Sequence, residues 1–351
     1  MTEYRRVVRK KKKKKKKSII KRVLLLLLII ILCIGGYLAY VAYNAYTQAD
    51  KSYSELKRGN KSPLREKAVQ LTKDPVSILL MGVEDYSTGG HGGRSDTLIV
   101  ITLNPADKSM KMLSIPRDTL VSIPGRTSKT KINAAYSTGG KELTVDTVEN
   151  FLKIPIDYYA EVNFNSFKDI VDELDGVDVN VPFDFWENSD INRKRIYFKK
   201  GKAHLNGEEA LAYARMRKRD PRGDFGRNDR QKQIITAIIK KATAPQNFLK
   251  IDDIAAKIGS NVETNMRVSD ILGFQQSYSG FNTSDIQKLK LKGTDLNTPT
   301  YYYKPDETSL EEIRKELSDH LGHKTTSIRD DQNGGTMNSD SQESIGTDST
   351  N

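Results

Sequence analysis

Cysteine is almost missing from this chain: of 351 residues only Cys33 carries a thiol, and it sits inside an apolar run. That scarcity excludes a disulfide framework, a thiolate zinc site and a cysteine nucleophile in the rest of the chain. Stability must come from a hydrophobic core instead. Histidine is nearly as scarce, with four. His91 stands in a glycine-rich turn and reads as a loop residue, His204 precedes a helix cap, and His320 and His323 open a polar tail. No H-E-x-x-H, no P-loop lysine motif and no G-x-S-x-G occurs. Zincin, P-loop and α/β-hydrolase chemistries therefore have no sequence support. Ser95 and Ser137 have no evident base partner, which argues against a serine triad. Phe185 and the lone tryptophan, Trp186, read as core or lid packing.

Charge of one sign is also lacking, except at one end. The formal net charge is +12, yet residues 1–22 hold thirteen of the 57 bases and one of the 45 acids. The remainder, with 44 of each, is formally neutral, so the pI of about 9.4 describes a tail and not a nucleic-acid-binding domain. The run Val23 to Ala42, VLLLLLIIILCIGGYLAYVA, carries no charge. At ~1.5 Å per residue it spans about 30 Å, the thickness of a bilayer core. Bases flank one end only, which predicts that end in the cytoplasm and the C-terminal domain outside the cell. Tyr37, Tyr40, Tyr43 and Tyr46 suit the opposite interface. No good A-x-A cleavage site follows, so an uncleaved signal anchor is expected rather than a removed signal peptide.

The sequence predicts a cytoplasmic polybasic tail over 1–22, a transmembrane helix over 23–42, an extracellular stalk over 43–73, one α/β domain over 74–318 and a disordered polar tail over 319–351. The last is too poor in large apolar residues to bury itself. SILLMGV (77–83), TLIVITL (97–103) and KMLSIP (111–116) read as strands buried on both faces. YYAEVNF (158–164) and VDVNVPF (177–183) alternate and read as strands with one exposed face. Helical spacing covers 143–152, 164–174 and 229–242, the last with Ile234, Ile235, Ile238 and Ile239 on one stripe. Asn206 with acids behind it reads as a helix cap. Further helices are expected at 248–260, 268–278 and 308–318, and a last strand in LKLKGT, 289–294.

Three segments carry the chemistry. GGRSDT (92–97) is a glycine-rich turn entering a buried strand, and SIPRDT (114–119) ends another. The third, 214–231, concentrates six arginines: Arg215, Arg217, Arg219, Arg222, Arg227 and Arg230. Arginine suits planar, bidentate capture of phosphate or carboxylate. Arg227 and Gln231 are four apart and lead into the isoleucine stripe, which predicts both facing inward near a helix N-terminus, where an anion is favoured. The plainer reading is a solvated basic loop neutralised by Asp220, Asp224 and Asp229, and this segment alone does not decide between them. Glu84, Asp85, Asp96 and Asp118 flank the first three strands, and ligands of α/β sheets gather at strand ends. Together these residues suggest a pyrophosphate held by arginine and a hard divalent cation held by oxygen; simple pairing with Arg94 or Arg117 is the alternative for any one acid.

In this order, ILLMGVED, GGRSDTLIVITLNP, MLSIPRDTLVSIPG, KINAAYSTGG, DELDGVDVNV and ALAYARMRKRDPRGDFGRNDRQ closely resemble the LytR–CpsA–Psr family of Gram-positive bacteria, over about residues 77–240. The resemblance implies a central mixed sheet flanked by helices with an apolar tunnel for a lipid tail. It implies a phosphotransferase that moves an anionic glycopolymer, wall teichoic acid or capsular polysaccharide, from a polyprenyl-pyrophosphate carrier to peptidoglycan. Position by position it implies phosphate binding by Arg94, Arg117, Arg215, Arg217 and Arg227 with Gln231 beside them, and Mg²⁺ (or Mn²⁺) binding by Glu84 and Asp96. The first metal position is usually aspartate in the family; here Glu84 is followed by Asp85, and either acid fits. Asp118 and Asp224 are the candidate bases for the attacking hydroxyl. The expected partners are the lipid-linked polymer, peptidoglycan and the membrane, with no nucleic acid. A pyrophosphatase, or a non-enzymatic regulator or glycan-binding scaffold, is the rival reading of the same residues.

Overall fold

In the computed structural model the described residues are 52–84, 93–244, 262–297 and 299–323. The three apolar runs become β1 (Val76–Glu84), β2 (Arg94–Asn104) and β3 (Ser109–Ser114), antiparallel neighbours in order. β4 (Leu120–Val121) and β5 (Thr130–Lys131) form a short ladder before α1 (Ala134–Leu152). Next come β6 (Tyr158–Val162), α2 (Phe164–Glu173) and β7 (Val177–Val181). β8 (Phe185–Asn188), β9 (Arg195–Phe198) and β10 (Gly201–Leu205) precede α3 (Gly207–Arg215) and α4 (Asp224–Ala242). β11 (Val262–Thr264), α5 (Val268–Ser277), β12 (Gln287–Leu289), β13 (Gly293–Asn297), β14 (Tyr301–Pro305) and α6 (Glu307–His320) follow.

The central sheet runs β11-β6-β1-β2-β3-β12. β1 is parallel to β6 and β3 to β12, while the other neighbours are antiparallel, so the sheet is mixed as expected. Side chains alternate between its faces. Leu79, Met81, Leu98 and Val100 join Val145 and Val148 of α1 and Leu317 of α6 on one side. Ile78, Ile99, Ile101 and Met112 join Ile239 of α4 and Tyr278 on the other. Covering both faces is why these strands read as unbroken apolar runs. A separate core lies between β7, β8 and α3, around Val179, Phe185 and Tyr213.

Several expectations need correction. Residues 52–73 are not a free stalk but part of the packed domain: Leu56 and Leu71 are buried in its cores. Arg58 meets the buried Glu149 at 2.5 Å, and Arg65 meets the buried Asp157 at 2.7 Å. The polar composition of the segment hides this, because its arginines satisfy acids of the domain. At the other end the domain reaches past 318. His320 is buried between Thr102 Oγ1 (2.7 Å) and Ser109 Oγ (2.6 Å), and Leu321 is also buried.

α4 begins at Asp224, not Asp229, because Gly223 with φ of 54° supplies the turn that starts it. Of its isoleucines, Ile234 and Ile239 are buried, while Ile235 and Ile238 are half-buried. α1 begins at Ala134, broken at Gly139 and Gly140, whose backbones leave the helical region. β6 stops at Val162, since the Asn163 side chain caps α2 by accepting from Ser166 N at 2.9 Å. Its exposure does not alternate, whereas that of β7 does. The stretch 289–294 divides between β12 in the central sheet and β13, which pairs with β14. The helix expected over 248–260 lies outside the described residues, as do 1–51 with the membrane segment, and 324–351.

Candidate functional site: an arginine and carboxylate cluster at the strand ends

The C-terminal ends of β1 and β3 and the start of β2 meet at one edge of the sheet, as antiparallel pairing requires. The N-terminus of α4 supplies the opposing groups. Between Gly82 and Val83 the register slips, so Asp96 is the extra residue of a β-bulge. A bulge re-aims side chains. Here it leaves consecutive Asp96 and Thr97 both partly exposed, between the buried Ser95 and Leu98. Thr97 Oγ1 accepts from Gln231 Nε2 at 2.9 Å, which ties α4 to the sheet edge. A Cβ at Gly82 would stand 2.9 Å from Thr97 Cβ, so the close approach at this edge requires glycine.

Arg117 follows β3 and donates from Nη1 to Asp96 Oδ1 at 2.8 Å. Its neighbour Asp118 is buried, accepts from Lys131 Nζ at 2.6 Å, and lies 3.7 Å from Arg117 Nε. Asp224, in the first turn of α4, is bound by Arg217 Nε at 3.1 Å and by Arg227 Nη2 at 2.9 Å. Arg227 is only 6% exposed, one helical turn from the start of α4. Its Nε and that of Arg117 make no hydrogen bond, nor does Gln231 Oε1. Buried donors without partners are uncommon and costly. Arg227 Nε without a partner, beside an Arg117 Nε that reaches Asp118 only at 3.7 Å, leaves donor capacity that suits an anion.

The electrostatics agree. Burial works against the Arg117 charge, but Asp96, Asp224 and Asp118 outweigh it and hold the group above its ordinary pKa. Burial pushes Arg227 the other way, below its ordinary value, with Asp224 opposing and Arg117 adding to the shift. An arginine stays protonated regardless. The lowering thus marks a buried positive charge that the protein's own acids under-serve.

Arg117, Arg217, Arg227, Gln231, Asp96, Asp118 and Asp224 are thus brought together. Arg94 and Glu84 face each other across β1 and β2, beside the bulge, and exposed Arg94 forms no ion pair with another described residue. Asp85 lies outside the described residues. Arg215 points elsewhere, to Asp190 at 2.8 Å and over the Phe164 ring at 4.8 Å. Arg230 is structural: fully buried, it binds Asp220 and the carbonyls of Tyr213 and Met216. Arg219 covers the Trp186 ring at 3.3 Å. Lys131 escapes sequence reasoning, since a two-residue strand has no periodicity to expose it. Thr97 lies in the glycine-rich segment singled out by sequence, but its bond to Gln231 depends on the bulge and has no signature there.

Among the described residues no cluster of three or more acids and histidines could hold a metal. Two oxygen donors, Asp96 and Glu84, stand at the strand ends. Mg²⁺ is commonly held by one or two carboxylates and completed by substrate phosphates and water. Among the described residues the donor set fits that mode.

A mixed α/β sheet with this cluster at its edge defines the class. The chain belongs to the LytR_cpsA_psr family, whose model matches residues 39–319. It is 59% identical over 296 residues to the polyisoprenyl-teichoic acid–peptidoglycan teichoic acid transferase TagV of Bacillus subtilis, covering 83% of this chain and 75% of that protein. The crystal structure of B. subtilis TagV superposes with a TM-score of 0.67 at 60% identity, over 72% of this chain and 99% of that one. The family protein TagT with bound octaprenyl pyrophosphate lipid gives 0.61 at 34% identity, over 77% of this chain and all 100% of that one.

Proposed function

We propose that this protein transfers an anionic glycopolymer, wall teichoic acid in the first instance, from a polyprenyl-pyrophosphate carrier to a sugar hydroxyl of peptidoglycan. The observation that carries the reading is the arginine cluster at the start of α4, where the buried Arg227 Nε has no hydrogen-bond partner and Arg117 Nε has only Asp118, at 3.7 Å. The names of the relatives and the lipid held by TagT support the same chemistry.

The acceptor oxygen attacks the glycan-side phosphorus, forming a phosphodiester. The bond from that phosphorus to the bridging oxygen breaks, and polyprenyl phosphate leaves. Arg117, Arg217 and Arg227 bind the phosphate oxygens and hold the charge that spreads over them in the transition state. Gln231, fixed by Thr97, keeps α4 in register with the sheet edge. The acceptor proton passes to Asp224 or Asp118. Each is bound to two cations, so it must loosen an ion pair first. Asp96 and Glu84 are the residues that would hold Mg²⁺ or Mn²⁺, which would neutralise part of the pyrophosphate charge. Arg94, exposed beside the bulge, serves the outer part of the donor.

Anchoring by residues 23–42 gives this arrangement a physical use. Only residues 43–51 separate that run from the packed domain, at most about 30 Å of extended chain. The tethered site and a lipid-linked donor then meet at high effective concentration.

The test uses the full chain in lipid nanodiscs with a lipid-linked teichoic acid precursor, peptidoglycan oligomers and Mg²⁺. Polymer joined to peptidoglycan, lost with EDTA and with Arg227→Ala, is expected. Polyprenyl phosphate release with no joined product would instead establish a pyrophosphatase, and binding without release a scaffold.

A further inference from the structure

A cleft of about 550 Å³ lies beside the β4–β5 ladder, between the end of α1 and the start of α6. Its charge is strongly one-sided. Arg126, Lys129, Lys153, Lys304 and Arg314 line it, against Glu307 as the one lining acid. Arg314 is committed to the fold, donating to Phe151 O at 2.7 Å. The other four are exposed, and none forms an ion pair with another described residue. Lys153 caps α1 in a left-handed conformation, φ 55°, where glycine or asparagine is usual. Pro124 and Pro305 also line the cleft, and the buried Val121, Phe151 and Leu310 close its floor.

The cleft is joined to the reaction site through short spans of chain. Val121 pairs with Thr130, next to Lys131, which binds Asp118. Lys304 follows Tyr303, whose N–H donates to Asp118 O at 2.9 Å. Groups on the two sides of β4 and β14 therefore belong to the reaction site and to the cleft.

We propose that this cleft is a second phosphate subsite, which holds an internal phosphodiester of the polymer while its pyrophosphate end sits at Arg117 and Arg227. The inference rests on the transferase reading above. Four solvent-facing cations around a concavity match a flexible chain that carries one negative charge per repeat. A flat membrane surface does not enter a concavity of this size, which favours the polymer over anionic lipid headgroups. The subsite would favour long polymers over single repeats without touching the reacting phosphorus.

The experiment compares the full chain with a Lys129→Gln/Lys153→Gln/Lys304→Gln variant, which changes exposed side chains only. Binding of a soluble, lipid-free poly(glycerol phosphate) oligomer is measured by calorimetry, and binding of phosphatidylglycerol vesicles by co-sedimentation. The variant is expected to bind the oligomer about tenfold more weakly, because three ammonium groups no longer donate to its phosphates. Its vesicle binding should match wild type. It should also keep wild-type turnover of a donor carrying one repeat and lose turnover of a long-chain donor. Equal oligomer binding by both proteins, no binding by wild type, or a loss confined to vesicles would overturn the proposal. Failure of the single-repeat donor to react with either protein would instead count against the transferase reading.

Discussion

Arg227 and Arg230 stand three residues apart on α4, and their replacement by alanine should fail in opposite ways. Arg227→Ala removes a donor set that the fold leaves half used: Nη2 binds Asp224, while Nε binds nothing. Asp224 keeps Arg217 at 3.1 Å, so no acid is orphaned. The stability change should stay within about 1 kcal/mol. Turnover should fall by about 10²–10³-fold, the loss typical for one preorganised donor to a charged transition state. Arg230→Ala strips from Asp220, whose side chain is fully buried, its closest cation, leaving it only Arg222 through its N–H at 2.8 Å and Nε at 3.9 Å, and frees two carbonyls. Breaking a buried pair from one side costs about 3–5 kcal/mol. For a domain of this size that is a drop of about 10 °C in Tm. Thermal melts paired with the transfer assay separate the two effects. Full turnover in Arg227→Ala, or a wild-type melt in Arg230→Ala, would refute the division of the arginines into ligand-binding and structural groups.

Three further outcomes follow from the geometry. A chain shortened to begin at Asp74 should not fold, because it exposes the surfaces under Leu56 and Leu71 and takes the arginines from the buried Glu149 and Asp157; circular dichroism of that chain beside one beginning at Ser52 decides it. His320 lies below its ordinary value of 6.5, chiefly through burial and then Lys111. The unfolded chain therefore takes up the proton first as pH falls. Stability is full above about pH 6.5 and declines below it. His320→Gln should flatten the fall in Tm between about pH 7 and about pH 5.5. Asp96→Asn should raise the Mg²⁺ concentration for half-maximal turnover severalfold; an unchanged metal titration would remove Asp96 from the metal site.

Legibility in the sequence follows the physics of each element. The three central strands can be read because both faces are buried, so every position in 77–83 and 97–103 has to be apolar or small. The capping box of α3 is visible because Asn206 and Glu209 act locally. The stalk reading fails because Arg58 and Arg65 find their acids about ninety residues away, a pairing no local pattern encodes. Composition also cannot sort the arginines. Spacing marks Arg227 as inward-facing, but Arg215, Arg219 and Arg230 read alike as a basic loop, yet one meets Asp190, one lies on Trp186 and one is core. The bulge that exposes both Asp96 and Thr97 is a property of pairing register and has no signature in a single strand.

The most direct test of the account follows the two phosphorus atoms of the donor. A lipid-linked teichoic acid precursor labelled separately at its glycan-side and lipid-side phosphorus is given to the full-length protein with peptidoglycan. The account predicts glycan-side label in the peptidoglycan-linked polymer and lipid-side label in polyprenyl monophosphate, in equal amounts. Glycan-side label remaining in free polymer, or both labels travelling together, would contradict it.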